Sequence, residues 1–554
     1  MALSTKFRGI FDRLSFFLQT IKNVLLFFEK CVKMYRHIIF ERKDHMNTAL
    51  IILAIVAYLA FTVYIGFRCS KKNKSTDDFY LGGRRLGPLV TAMSAEASDM
   101  SSWLLMGLPG VALLTGYLGN TTGFAEAVWT AVGLAVGTYL NWLIVAKRLR
   151  RYTERTNAVT LPDFFSNRFG DKKGLLCAIS AVIIVLFFVP YTGSGFAAVG
   201  KLFNSFFGVP YHVALIVGAA VIAAYTILGG FLAASTTDFI QSIVMTVALV
   251  VVVVFGFVNA GDGMLSIEQH FSDTNFGLMG TDGTSYGILP IISTLAWGLG
   301  YFGMPHILLR FMAIEDDRKL SLSRRVASIW VVISMGIAIL IGVIGFNYAF
   351  NNGLLQPGFD SENIIVYMAK GLSEINWLLA IVAGVILSGI LASIMSTSDS
   401  QMLAAGSSIS ENIVARFSKK QLPAKTQMWV ARGTVLLVSL IGVVLAWNPD
   451  SSVFRIVSFA WAGFGATFGP LMLFALFWKR TNKWGALAGM ITGAVTVLAW
   501  KFLVRPLGGA WDLYELLPAF VLSAIAIVVV SLLTPAPEKE ITDTFDEIAA
   551  GMKN

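Results

Sequence analysis

The sequence predicts an all-α integral membrane protein with about thirteen transmembrane helices, and three observations lead to this prediction. Of the 554 residues, 56% are hydrophobic and only 14% are charged, and the mean hydropathy is +0.70. Soluble domains contain about one quarter charged residues, so this composition excludes an ordinary soluble protein. The apolar residues come in blocks of about twenty, long enough to cross a hydrocarbon core of about 30 Å. Lys and Arg are concentrated in short loops between the blocks, which is typical of a membrane protein and not of one that binds nucleic acid.

The predicted spans follow the apolar blocks and the polar breaks between them. They are 48–67, 88–111, 122–146, 174–200, 211–229, 232–258, 286–308, 326–350, 372–406, 427–447, 452–478, 484–504 and 513–534. The block 372–406 is too long for one straight span, so we expect it to be tilted or to extend into a loop.

The loops alternate in charge, and this pattern predicts the orientation of the chain. The basic loops include 68–87, 147–173 and 309–325, the last with Arg310, and the segments without Lys or Arg are 112–121, 259–285 and 448–451. Because basic loops stay in the cytoplasm, we expect these loops and the tail 535–554 to be cytoplasmic. The first span then starts outside the cell.

Residues 1–45 do not fit this orientation, because they carry nine Lys or Arg on the side predicted to be external. One interpretation is an interfacial amphipathic helix. The other is that the native chain starts at Met46, directly before the first span, so that residues 1–45 are not part of the translated protein. The charge pattern favours the second interpretation.

The spans divide into two groups of opposite topology. After the first span and loop, 46–87, the groups are 88–258 and 286–478, followed by two additional spans, 479–534. Transporters built from such inverted repeats bind small solutes at the midplane, where the first helix of each repeat is interrupted. Neither a nucleotide-binding loop nor a hydrolase motif occurs in the sequence, so transport would be driven by an ion gradient or be passive, and no enzyme is predicted.

The first helix of the first group contains carboxylates in mid-span. Asp99 lies among serines and before a Gly-Leu-Pro-Gly break at 107–110. A buried carboxylate costs several kcal/mol unless it faces a cavity, an ion or a partner, although a hydrogen bond to a neighbouring serine is an alternative. Glu96 lies one turn earlier on the same face, with either a coupling or a structural role. Two anions this close predict a bound cation or a proton on Glu96.

Hydroxyl side chains form a second polar cluster. Ser393, Ser396, Thr397 and Ser400 share one helix face and flank Asp399. Such hydroxyls often bond only to their own helix, but their density beside a carboxylate favours a cation site. With few carboxylates converging there, Na⁺ is the expected ion.

Three further positions remain open from the residues alone. Asp238 is either an ion or proton relay or a carboxylate placed favourably at a helix N-terminus. Trp297, Tyr301 and Pro305 lie one turn apart beside three glycines, which favours a substrate wall over simple packing. Tyr191 is a weaker candidate of the same kind.

Several long motifs resemble the sodium:solute symporter family. They are Leu81-Gly-Gly-Arg84, Ser98-Asp-Met-Ser-Ser-Trp103 through Gly110, Trp297-Gly-Leu-Gly-Tyr-Phe-Gly-Met-Pro305, Met395-Ser-Thr397 and Ala460-Trp-Ala-Gly-Phe-Gly-Ala466. The similarity runs from about residue 48 to 535. It implies a LeuT-type core of ten helices with one span before it and two after it, in a bacterial cell membrane. The activity that it implies is Na⁺-coupled L-proline uptake by alternating access.

The resemblance also implies roles for individual residues. Na⁺ would be bound by the hydroxyls of Ser396 and Thr397 and by backbone carbonyls of Ala97, Met100 and Ser393. Asp99 would be the carboxylate most needed for Na⁺-dependent binding, supported by Ser101, and Arg84 would affect coupling from the cytoplasmic side. Proline would lie near Trp297, Tyr301 and Pro305, with Trp103 and Tyr191 closing the pocket.

The chain departs from the family pattern at Ser102, where glycine is familiar, at Glu96, where a small residue is expected, and at Asp399, where some relatives have serine. The ion stoichiometry and any additional ion or proton site, at Glu96, Asp238 or Asp399, therefore stay open, as does the oligomeric state.

The alternative function is Na⁺ symport of another small solute such as pantothenate, a different carboxylate or a sugar. A membrane sensor is disfavoured because the tail is short, and a passive channel because broken helices with a central ion site suit alternating access.

Overall fold

A computed structural model describes residues 45–69, 71, 75–114, 122–259, 277–279, 286–418 and 423–551. Both interpretations of the N-terminal extension concern residues that lie almost wholly outside this described part. Within it, the chain is all-α, and the only strand-like feature is an isolated bridge between Leu86 and Ile314. The predicted fold class is confirmed.

The helices are labelled in chain order. They are α1 (His45–Cys69), α2 (Thr76–Leu81), α3 (Pro88–Asp99), α4 (Trp103–Leu113), α5 (Gly123–Arg155), α6 (Leu161–Arg168), α7 (Leu175–Phe207), α8 (Tyr211–Asn259), α9 (Ile288–Gly303), α10 (Pro305–Ala313), α11 (Asp317–Asn351), α12 (Ile364–Ile375), α13 (Trp377–Ala415), α14 (Ala424–Leu445), α15 (Val453–Phe477), α16 (Lys483–Leu507), α17 (Leu516–Leu533) and α18 (Lys539–Gly551).

The number of spans differs from the expected thirteen. Ten helices of the described residues are long and apolar enough to cross a membrane, and α9 with α10, bent by 44°, makes up to eleven. Two features lower the count. Helix α8 runs for 49 residues and counts once although two spans are predicted there. The predicted span 88–111 is broken into α3 and α4, each too short to cross alone.

The backbone leaves the helical conformation at two positions, Gly230 and Asn376, that bear on the predicted span boundaries. Within α8, Gly230 leaves the helical conformation at φ 63° and ψ −164°, in the region that favours glycine, where the sequence indicates a boundary between spans. Most of the predicted block 372–406 lies in α13, which is one candidate span, and only its first residues belong to α12, because the backbone is extended at Asn376. The Asn376 side chain accepts a hydrogen bond from the amide of Leu379 and so caps the new helix.

The loops rich in Lys and Arg meet at one end of the molecule, which we call the basic end. Leu86 and Ile314 pair there, and the Arg150 guanidinium donates to the Ile314 carbonyl at 2.8 Å. The C-terminal helix α18 docks at the same end, where Glu547 pairs with Arg155 at 3.1 Å. The tail and the basic loops therefore share one side of the protein.

Small residues allow the two helical groups to approach closely. In α5 and α9 the backbones touch at Gly133, Gly137 and Gly298, where an added Cβ would collide with a facing carbonyl oxygen. This contact fixes α9 against α5 and thereby positions the aromatic residues that follow Gly298.

Candidate functional site

The first broken helix ends at Asp99. Met100 leaves the helical conformation at φ −77° and ψ 70°, and the chain re-enters a helix at Trp103 through a wide turn. Ser101 spans the gap, since its amide donates to the Asp99 carbonyl at 2.8 Å and its carbonyl accepts from Leu104 at 3.0 Å. The Ser101 hydroxyl also accepts from the Trp103 amide at 3.4 Å, and short polar side chains that bond to nearby backbone in this way stabilise such an interruption. The predicted break is confirmed.

Two hydroxyls of α13 converge on the last turn of α3. The Ser396 Oγ lies 2.7 Å from the Ala97 carbonyl oxygen, and the Thr397 Oγ1 lies 3.4 Å from the same atom. The Ser393 carbonyl oxygen is 3.2 Å from the Ser396 Oγ. These groups are buried oxygen atoms at the end of an interrupted helix, which is the donor set that a hard monovalent cation requires.

The other two hydroxyls of the predicted stripe have different partners. The Ser393 hydroxyl donates to the Ile390 carbonyl within its own helix, so only its carbonyl faces the convergence point. The Ser400 hydroxyl accepts from Arg310 and lies 3.0 Å from Asp399 Oδ1. The stripe is thus split between a pair of hydroxyls beside Ala97 and a separate ionic cluster one turn away.

Asp99 joins the two broken helices. Its Oδ2 accepts a hydrogen bond of 2.5 Å from the Tyr301 hydroxyl of α9, and its Oδ1 is buried without a hydrogen-bond partner among the described residues. The alternative of a hydrogen bond to a neighbouring serine is therefore not what the structure shows. Tyr191 of α7 lies near this carboxylate and near the Ser101 side chain, and its ring is buried.

Glu96 is buried against α5 and has partners different from those of Asp99. Thr138 and Trp142 both donate to its Oε1, at 3.1 and 3.0 Å, whereas Oε2 has no partner in the described part of the chain. The two carboxylates are close enough to interact electrostatically. Glu96 therefore anchors α3 to α5 on the side away from the hydroxyl pair.

The second broken helix carries an aromatic wall. Met304 is extended between α9 and α10, and Pro305 starts α10, where its missing N–H is tolerated. Trp297 lies 6.4 Å from Trp103 and 6.3 Å from Trp461, measured between ring centroids. The predicted aromatic residues are thus brought together at the break of the first helix.

Sequence reasoning gave Trp461 no role, although the family motif contains it. Its indole Nε1 donates to the Trp297 carbonyl at 2.7 Å, and its ring meets that of Tyr301 edge-on at 5.1 Å. An added Cβ on Gly300 would collide with this indole, so the glycine makes room for it. The sequence signal that could have indicated this contact is the glycines of α9, because they leave room for a large side chain on a neighbouring helix.

A cavity of about 770 Å³ opens at the end opposite the basic end. Phe454 lines its inner part and packs against Trp297 at 5.3 Å. Charged residues line its rim, among them Lys201, which pairs with Glu362 at 2.9 Å. The cavity therefore leads from one side of the protein towards the aromatic wall.

Asp238 belongs to the ionic cluster one turn from the hydroxyl pair, and Asp399 adjoins this cluster through the Ser400 hydroxyl, which lies 3.0 Å from Asp399 Oδ1. Asp238 pairs with Arg310 at 3.2 Å, and both side chains are fully buried. Asp238 lies well inside the second part of α8, so the interpretation as a carboxylate at a helix N-terminus is wrong. Arg310 does not belong to a loop as expected but to α10, because α10 continues to Ala313.

Arg84 lies at the basic end with a left-handed backbone, at φ 56°. Its guanidinium donates to the carbonyls of Met312 and Ala158, both at 2.7 Å, and to that of Thr153 at 3.0 Å. Burial and the nearby Arg150 lower the pKa of Arg84 to about 10, so the side chain remains charged at neutral pH. It ties the segment before α3 to the end of α10 and to the end of α5.

Comparisons with known proteins identify the family to which the chain belongs. A model of the sodium:solute symporter family matches residues 79–493. The high-affinity proline transporter PutP of Bacillus subtilis (strain 168) is 43% identical over 488 residues, which cover 87% of this chain and 98% of the relative. The sodium/proline symporter of Escherichia coli (strain K12) is 42% identical over 506 residues, covering 90% and 96%.

Two solved structures share the fold. A Na⁺-coupled sialic acid symporter in a substrate-bound, outward-open state gives a TM-score of 0.72 at 19% identity and covers 89% of this chain and 99% of that one. A nucleobase-cation-symport-1 family transporter in a closed conformation gives 0.52 at 14% identity, with 86% and 99% covered. At these identities the likeness establishes a LeuT-type fold and nothing further. The long family match and the curated relatives establish more, and the chain, a multi-pass membrane protein, belongs to the sodium:solute symporter family.

Proposed function

We propose that this protein couples the inward movement of Na⁺ to the uptake of L-proline by alternating access. The observation on which the proposal rests is the convergence of the Ser396 and Thr397 hydroxyls on the Ala97 carbonyl, at the break of the first helix. The relatives named as proline transporters supply the substrate.

The ion would be held by oxygen atoms alone. The Ser396 and Thr397 hydroxyls would turn their lone pairs towards Na⁺, and the carbonyls of Ala97, Met100 and Ser393 would complete the shell. Na⁺ prefers such neutral oxygen ligands when few carboxylates converge. Asp99 supplies the negative charge nearby, and Ser101 stabilises the backbone that carries the carbonyls.

Proline would bind between the two breaks. Its apolar ring suits the faces of Trp297, Tyr301 and Trp103, with Pro305 below and Tyr191 at the side. Its carboxylate would meet backbone N–H groups exposed at a half-helix end. The cavity behind Phe454 would be the entry path.

The proposed organisation places the basic end in the cytoplasm, with the N-terminus outside and Arg84 at the inner face. The repeats 88–258 and 286–478 form the transporting core. The protein carries out no chemical reaction on its substrate, and its partners are L-proline, Na⁺ and the lipid bilayer.

The test is uptake of radiolabelled L-proline into proteoliposomes, with and without an inward Na⁺ gradient. We expect accumulation that requires Na⁺ and collapses with a Na⁺ ionophore. Unlabelled proline should compete for uptake, whereas pantothenate, other carboxylates and sugars should not. Uptake driven by a proton gradient without Na⁺, or competition by one of the other solutes, would contradict the proposal.

A further inference from the structure

The ionic cluster at Arg310 is buried in the interior of the described structure. The exposed fraction of the side chain is 1% for Arg310 and 0% for Asp238. Burying two charges is costly unless they pair with good geometry. Here Asp238 Oδ2 is paired, whereas its Oδ1 is buried without a partner among the described residues, so the pair is costly to keep and costlier still to break.

The Arg310 guanidinium connects four separate helices. From α10 it reaches Asp238 of α8, donates to the Ser94 hydroxyl of α3 at 3.0 Å and donates to the Ser400 hydroxyl of α13 at 2.5 Å. Ser94 in turn donates to the same Asp238 oxygen at 2.6 Å. A planar guanidinium can make these contacts simultaneously, whereas a lysine ammonium cannot reproduce the fork.

The cluster lies between the ion site and the basic end. Ser94 is one helical turn before Ala97 in α3, and Ser400 is one turn after Ser396 in α13. A path from the ion site to the basic end therefore has to separate the same two helices that the Arg310 guanidinium holds together.

We propose that Arg310 is a positioning residue that acts as an inner latch, closing the route from the ion site to the basic end until both Na⁺ and the substrate are bound. This inference rests on the proposed transport function. Na⁺ bound between Ala97 and Ser396 holds α3 against α13 from one side, and the latch holds them from the other. Release of the ion towards the basic end requires the Arg310 contacts to break.

The experiment measures access to Ser235 from the basic end. Ser235 lies in α8 one turn before Asp238, and its buried hydroxyl has no partner among the described residues, so Ser235→Cys is a conservative reporter. The three native cysteines, Cys31, Cys69 and Cys177, are replaced by serine. Inside-out vesicles are then treated with a charged, membrane-impermeant thiol reagent, with Na⁺ present or replaced by choline.

We expect slow labelling of the parent and a rate at least about tenfold higher for Arg310→Met, the factor produced by loss of one charge-assisted hydrogen bond. Arg310→Lys should give an intermediate rate. The matched control is Arg168→Met, since Arg168 is equally buried but donates to the Ala475 carbonyl, away from α3 and α13. This control should label at the parent rate.

Because Arg310→Met leaves the buried Asp238 carboxylate without its cationic partner, the double variant Arg310→Met/Asp238→Asn is measured as well. Monodispersity in detergent is checked for each variant. Labelling of the monodisperse double variant at the parent rate would overturn the latch. Failure of the transport proposal has a different signature. Na⁺ would then leave the parent rate unchanged while the Arg310 variants still label faster, and the latch would stand without ion coupling.

Discussion

Removal of the Ser396 hydroxyl is the sharpest perturbation of the proposed ion site. The hydroxyl oxygen lies 2.7 Å from the Ala97 carbonyl, against 3.4 Å for Thr397, so it is already placed to share an ion with that carbonyl. A hydrogen bond or contact to a charged group contributes about 1.5–3 kcal/mol. At about 1.4 kcal/mol per factor of ten, Ser396→Ala should raise the Na⁺ concentration for half-maximal proline binding by about 10- to 150-fold.

The measurement is equilibrium binding of radiolabelled proline to purified protein across a Na⁺ titration. Proline binding at saturating Na⁺ should be recovered, because the Ser396 hydroxyl bonds to the Ala97 and Ser393 carbonyls, which are proposed ion ligands and not part of the aromatic wall. The matched control is Ser388→Ala in the same helix, since the Ser388 hydroxyl donates only to the Gly384 carbonyl. Ser393→Ala provides a second comparison, because only its backbone carbonyl is proposed as a ligand. Both should leave the Na⁺ titration within about twofold of the parent, since a hydroxyl bonded to its own helix contributes little there.

The reasoning would be refuted by a Ser396→Ala titration that coincides with that of Ser388→Ala. A large effect of Ser393→Ala would also refute the proposed division between hydroxyl and carbonyl ligands. Loss of binding at all Na⁺ concentrations, with monodisperse protein, would assign Ser396 to the substrate pocket.

Three other perturbations follow from the structure. Asp99→Asn keeps an acceptor for the hydrogen bond but removes the charge, so Na⁺-dependent proline binding should weaken at least about tenfold; an unchanged Na⁺ titration would contradict the proposed role. Gly298→Ala introduces a Cβ into the contact between α5 and α9, and such overpacking costs about 1–3 kcal/mol. Thermal unfolding in detergent should show lower stability for this variant than for Gly336→Ala, where nothing lies within 4 Å of the added Cβ. Arg84→Lys loses the guanidinium fork that holds three carbonyls, so the maximal uptake rate should fall while the Na⁺ titration of equilibrium binding stays the same. A shifted Na⁺ titration with a normal uptake rate would refute the proposed role of Arg84.

The sequence predicted the features that have a local chemical signal. Serines and an aspartate at 98–102 compete with the helix backbone, and glycines before Pro305 interrupt the second helix, so both breaks were predictable from short segments. The stripe of hydroxyls at Ser393, Ser396, Thr397 and Ser400 was predictable because polar groups at helical spacing in an apolar span need a partner. Only the family resemblance singled out Ser396 and Thr397 from this stripe.

What the sequence left open depends on contacts between distant segments. Arg310 belongs by composition to a basic loop, and only the extension of α10 to Ala313 buries it beside Asp238. Glu96 lies one turn before Asp99, and helical spacing predicts that the two share a face. In the structure the side-chain partners of Glu96 lie on α5, and only the packing of α5 against α3 determines this. Trp461 lies in an apolar segment where an aromatic residue carries no signal of its own.

In the proposed function, one short segment of the chain couples Na⁺ binding to proline binding, because it contributes to both the ion site and the substrate site. Ala97, Asp99 and Ser101 belong to one short segment, so an ion that fixes the Ala97 carbonyl against α13 also fixes the Asp99 carboxylate, and through its hydrogen bond the Tyr301 hydroxyl. In the proposed function, an aromatic wall ordered in this way would bind proline more tightly, and by linkage proline would raise the affinity for Na⁺ by the same factor. Ser94 and Ser400 lie on the same two helices, nearer the basic end, and both accept hydrogen bonds from Arg310. With only one ligand bound, α3 would be less firmly held at the ion site but would still be held against α13 by Arg310. If the proposed latch operates, tight coupling depends on Arg310 holding the inner route closed for as long as one ligand is missing.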